Sequence, residues 1–144
     1  MNIHRIALAL AIFTTLISSS YATEWKALTH TSSSKVLIDL DSYSEADGIP
    51  SIWTKSIFPS ARELPGSRGR GRYVEQLSLL QFRCDASTFR LAISAFYDAK
   101  GKVLATVTGD EKFEYIIPDS TSSEIGTVVC QVQRSVRDRG QSMP

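Results

Sequence analysis

The sequence predicts an α+β fold, a set of antiparallel strands forming one sheet with a single C-terminal helix, and three observations carry that prediction. Short β-rich segments separated by Pro, Gly, Asp and Ser recur from Trp25 to Arg83. A strand, a tight turn and a second strand follow between Phe89 and Val107, which implies antiparallel pairing. Only after Pro118 does the apolar spacing change to a helical period.

The N-terminus has the layout of a secretory signal peptide. Met1 to Arg5 carries one basic residue besides His4, Ile6 to Ile17 is apolar apart from Thr14 and Thr15, and Ser18 to Ala22 supplies small residues. An apolar run of about 12 residues is too short for a hydrocarbon core that needs about 20. We therefore expect residues 1–22 to be removed after Ala22 and one exported domain to run from Thr23 to Pro144, with no integral membrane segment. Thr23 rather than a cysteine follows the expected cleavage point, so no lipid anchor is expected there. Removing Arg5 reduces the 16 basic residues to 15, against 15 acidic ones, so no global field directs the chain to nucleic acid or membrane.

Residues 25–29 and 35–39 read as the first two strands, the second ended by Asp41-Ser42. Residues 51–58 read as a third, bounded by Pro50 and Pro59. From Pro59 to Arg72 the chain turns polar and glycine-rich and reads as the longest loop. Tyr73 to Arg83 resumes a β-type pattern, with a helix as the alternative, until Asp85-Ala86-Ser87 breaks it. In the hairpin, Phe89, Leu91, Ile93 and Ala95 alternate with Arg90, Ala92, Ser94 and Phe96, and Asp98-Ala99-Lys100-Gly101 places glycine for positive φ. Ser120 to Glu124 offers N-cap candidates and a first-turn acid, and Ile125, Val128, Val129 and Val132 share one helical face. Valine and threonine are poor helix formers, so this helix needs tertiary packing.

Two cysteines in an exported chain are expected to pair, and Cys84–Cys130 would pin the helix to the sheet. The loop-entropy model puts that cross-link at roughly 4 kcal/mol.

In their order along the chain, Trp25, Ile38-Asp39, Trp53, Cys84, the Tyr97-Asp98-Ala99-Lys100-Gly101-Lys102 turn, Pro118-Asp119-Ser120 and Cys130 resemble the bacterial surface-adhesin protein E-like family over almost the whole mature chain. The resemblance implies a single twisted antiparallel β-sheet with a C-terminal helix tethered to it by a disulfide. It also implies a role in adhesion to host extracellular-matrix and plasma proteins. The chain departs from the family pattern in lacking a lipidation cysteine and in carrying the Gly66 to Arg72 loop.

The sequence carries few residues placed for catalysis or metal binding. His30 is the sole histidine after Ala22 and lies in a Thr-His-Thr-Ser-Ser-Ser run without a supporting motif, so a solvated loop histidine is the simpler reading. Asp39 and Asp41 have the spacing of paired carboxylates, which strand termination and turn hydrogen bonding explain more simply. No nucleotide-binding glycine motif is present. No metal, cofactor, nucleic-acid partner or enzymatic activity is expected. Trp25, Trp53, Phe58, Phe82, Phe89, Phe96, Phe113 and Tyr115 read as strand and core aromatics, some exposed if the helix covers only one sheet face.

One candidate site remains: Arg62, Arg68, Arg70 and Arg72, with Glu63 as the only acid among them and glycines that let the guanidiniums fan toward a sulfate, phosphate or carboxylate. A solvated loop is the alternative. Arg134, Arg137 and Arg139 form a second basic group that suits the negative end of the helix dipole. The expected function is an exported module, periplasmic, secreted or at the cell surface, that binds a protein partner, with a polyanion as a further candidate. The competing reading is a soluble periplasmic structural or inhibitor-like protein with an endogenous partner.

Overall fold

The computed structural model describes residues 23–141, so the expected signal peptide lies outside the described residues. The strands are β1 (Lys26–His30), β2 (Lys35–Ala46), β3 (Ile49–Glu63), β4 (Arg72–Arg83), β5 (Thr88–Tyr97), β6 (Val103–Thr108) and β7 (Glu114–Tyr115), followed by α1 (Thr121–Gln141). They form one open antiparallel sheet in the order β1-β2-β3-β4-β5-β6, and β7 pairs with the far end of β5. This is the α+β architecture expected from the sequence, with residues 73–83 in a strand.

Period-2 alternation divides the sheet into two faces. Val36, Ile38, Ile52, Leu80 and Phe82 project to one face, where Ile125 and Val129 of α1 complete the core. Residues one step out of phase, including half-buried Trp53, occupy the opposite face. There Lys55 pairs with Glu75 at 3.4 Å and lies 4.9 Å from the centre of the Trp25 ring. The aromatic reading needs correction at the end of the series: Tyr115 is 82% exposed, and Phe113 lies outside any strand with the Arg83 guanidinium 4.1 Å from its ring centre.

Capping at α1 follows the expectation. The Ser120 hydroxyl accepts the Ser123 N–H at 3.2 Å and its carbonyl accepts the Glu124 N–H at 3.1 Å. Ile125, Gly126, Val129 and Gln133 form the most buried face. A Cβ at Gly126 would lie 3.2 Å from Phe82 Cε1, so the absent side chain lets the helix backbone rest on that ring. Gln133 escapes an apolar pattern search because its role is polar: buried, it donates from Nε2 to the Gly48 carbonyl at 3.0 Å and ties α1 to the β2–β3 turn. Near the helix end, Arg137 meets Glu45 at 3.0 Å and holds that carboxyl below its ordinary range. Burial, then the hydrogen bond to Glu45, pushes the Tyr43 phenol up to about 12. The Cys84–Cys130 bond forms, with a Cα separation of 5.6 Å, and links the end of β4 to α1.

Three strands differ from the sequence reading. β3 starts before Pro50 and runs past Pro59 to Glu63. Proline lacks the N–H that a ladder needs, yet from Phe58 to Ala61 β3 pairs with neither β2 nor β4, so Pro59 breaks no bond. Asp41 does not end β2. The strand bulges between Asp39 and Ser44, where Asp39 Oδ1 accepts the Asp41 N–H at 3.1 Å and Ser42 donates to the Asp39 carbonyl at 2.6 Å. The third difference is β7, reached because the chain after β6 folds back over β5 at Gly109. A Cβ there would stand 1.8 Å from the Leu91 carbonyl oxygen, so only glycine permits the approach.

The β5–β6 turn is built as expected. Asp98 Oδ1 accepts the N–H groups of Lys100 at 2.8 Å and Lys102 at 2.9 Å, and the Lys102 bond first, then others, holds the Asp98 carboxyl below its ordinary range. Gly101 takes φ 77°.

Candidate functional site: the basic β3–β4 hairpin

Of the four arginines expected to share a loop, Arg68 and Arg70 lie in it, and Arg62 and Arg72 lie on the strands that flank it. Beyond the Ile57–Glu75 pair the β3–β4 ladder is interrupted and resumes at Arg62–Tyr73 and Glu63–Arg72. Arg62 is therefore a β3 residue and Arg72 a β4 residue, and the loop shrinks to residues 64–71. Beneath this arm Phe58 packs edge-on to Tyr73 at 5.5 Å, and Tyr73 packs edge-on to Phe96 at 4.9 Å, an aromatic series that anchors the arm to β5.

Backbone hydrogen bonds order the tip, although the buried Ser67 hydroxyl has no partner among the described residues. The Leu64 N–H reaches the Gly71 carbonyl at 3.0 Å, Ser67 reaches Leu64 at 3.1 Å, and Arg70 reaches Ser67 at 3.1 Å. Glu63 turns its carboxylate inward to accept the Gly69 N–H at 2.5 Å. Gly66, Gly69 and Gly71 take positive φ, as does Arg68 at 49°. A non-glycine residue in that region is held there by its surroundings, and here the flanking turn bonds hold it.

Geometry divides the four arginines. Arg72 donates to the Ala61 carbonyl and is held along β3. Arg62 donates to the Ser33 carbonyl at 3.2 Å and stacks 4.0 Å over Phe58, so it faces the β1–β2 turn. Arg68 and Arg70 are exposed at the tip, and among the described residues their guanidiniums make no hydrogen bond or ion pair. Glu63, the one acid between Arg62 and Arg72 in the sequence, gives one carboxylate oxygen to the Gly69 N–H and forms no ion pair with Arg68 or Arg70.

The other candidates resolve differently. Asp39 is buried and serves the β2 bulge. His30 ends β1 and lines a cleft of about 600 Å³ with Lys35 and Ile57, a juxtaposition that local sequence pattern does not reveal because it depends on strand register. Among the described residues no group of three or more His, Cys, Asp or Glu side chains has metal-binding proximity, and no helix is long and apolar enough to cross a membrane.

Against this geometry, the sequence model of the family described as Surface-adhesin protein E matches residues 25–131. Two crystal forms of Haemophilus influenzae protein E share the fold. One is 14% identical with a TM-score of 0.53, covering 78% of this chain and 90% of that one. The other is 15% identical with a TM-score of 0.58, covering 88% and 98%. No curated protein matches the sequence.

Proposed function

We propose that this chain, which belongs to the Surface-adhesin protein E family, is an exported binding module that contacts host matrix or plasma proteins through the tip of its β3–β4 hairpin. The observation that carries the reading is the pair of unpaired guanidiniums, Arg68 and Arg70, on a hydrogen-bonded turn at the end of an anchored arm. A pre-ordered turn loses little entropy on binding, and arginine presents paired N–H donors to carboxylates or sulfates on a partner. The module is read as non-enzymatic: its distinctive exposed chemistry is guanidinium, suited to recognition more than to proton transfer at neutral pH.

Binding of the full chain to a panel of immobilised matrix and plasma proteins tests this. At two exposed contacts of about 0.7 kcal/mol each, Arg68→Ala/Arg70→Ala weakens the best binder roughly tenfold at ~0.1 M salt. The melting temperature stays within about 2 °C of wild type, since both side chains lie outside the core. Unchanged affinity in the double variant removes the tip from the site.

A further inference from the structure

We propose that the cleft between the β1–β2 turn and β3 binds an acidic saccharide, a sugar ring carrying a carboxylate or sulfate. His30 pairs with Lys35 across β1 and β2, and Lys35 pairs with Ile57 across β2 and β3. Residues paired across adjacent strands project to the same face at a spacing of about 5 Å, so imidazole, ammonium and sec-butyl groups stand in one row. The row lies on the face opposite α1, and its fourth member is Glu75. That carboxylate is taken by Lys55 at 3.4 Å. Among the described residues the His30 ring and the Lys35 ammonium make no hydrogen bond or ion pair.

The β1–β2 turn closes the cleft on one side and is itself rigid. Thr31 Oγ1 accepts the N–H groups of Ser33 at 3.2 Å and Ser34 at 3.1 Å, and the Thr31 N–H donates to the Ser34 carbonyl at 2.9 Å. The Ser32 hydroxyl in that turn has no protein partner among the described residues. Ile57, 36% exposed, and Pro59 supply a shallow apolar wall.

Each part matches one part of an acidic sugar. Lys35 and His30 meet the anionic group, Ser32 meets a ring hydroxyl, and Ile57 with Pro59 covers the C–H face of the pyranose. The cleft of about 600 Å³ is wide and open, which suits a disaccharide better than an acyl chain that needs an enclosed apolar tunnel. This site is separate from the hairpin tip, because Arg68 and Arg70 do not line it.

Titration of the full chain, followed by amide chemical shifts, tests the proposal with three probes: a sulfated heparin-derived disaccharide, a hyaluronan disaccharide carrying only the carboxylate, and neutral chitobiose. At least one acidic probe should shift residues 30–35 and 57–59 and bind about tenfold or more tighter than chitobiose; whichever does so identifies the anionic group. Lys35→Gln and His30→Ala should each weaken it about threefold to tenfold, whereas Arg68→Ala/Arg70→Ala should leave it unchanged. That last arm separates this site from the hairpin-tip reading. Equal affinity for chitobiose, no saturable shift with either acidic probe, or full affinity in Lys35→Gln would each overturn the proposal.

Discussion

Replacing Cys130 by Ser lowers the stability of the domain by about 4 kcal/mol, the loop-entropy value for a cross-link of this span. The bond joins residues 46 apart and ties α1 to the end of β4. Without it, α1 is retained by a narrow face, Ile125, Gly126, Val129 and Gln133, flanked by half-buried Val128 and Val132 and by the Arg137–Glu45 pair, and residues 134–141 are exposed. Its valines and threonines contribute little intrinsic helicity. Loss should therefore be uneven: amide protection falls first across Thr121–Gln141, while Thr88–Tyr97, paired on both sides, keeps it longest. The double variant Cys84→Ser/Cys130→Ser removes any effect of a leftover thiol and should behave alike. A loss below about 1 kcal/mol, with equal protection of helix and strand, would show that packing alone docks the helix.

Phe82→Ala should cost a comparable amount, about 3–5 kcal/mol. The ring is fully buried, stacks on Phe89 at 6.0 Å and forms the seat for Gly126. Truncation leaves a cavity under the helix backbone, and two constraints limit collapse into it: the disulfide fixes α1 close by, and the β4–β5 ladder fixes the sheet. Denaturant unfolding measures the loss as a lower midpoint at an unchanged slope. A cost under about 1 kcal/mol would mean that the helix resettles freely, and the account of a pinned helix would fail.

Local chemistry made part of this fold legible in the sequence. The β5–β6 hairpin was readable because Asp98 and Gly101 encode the turn within a few residues, and the helix start was readable because Ser120 caps it directly. What escaped the sequence depends on partners far along the chain. Pro59 reads as a strand end, and only the gap in pairing on both sides of β3 lets the strand continue. Asp39 reads as a terminator because a bulge and a turn use similar side-chain hydrogen bonds. The basic segment reads as one site, but placing Arg62 and Arg72 on opposite strands separates them from Arg68 and Arg70. His30 gains meaning only from its alignment with Lys35 and Ile57.

The central claim, a surface-displayed adhesin-like module presenting its basic hairpin outward, is tested most directly by brief trypsin treatment of intact cells that produce the protein. The exposed tip carries Arg68 and Arg70 on residues 64–71, the longest segment outside a strand or helix in the described sheet region, so it is the expected first cleavage point. The account predicts fragments split between Arg68 and Gly71 on intact cells; both cysteines lie in the C-terminal fragment, so the Cys84–Cys130 bond does not join the two, and they separate on denaturation without reduction. Protection on intact cells with the same cleavage only after permeabilisation would contradict it and place the protein inside the envelope, with an endogenous partner.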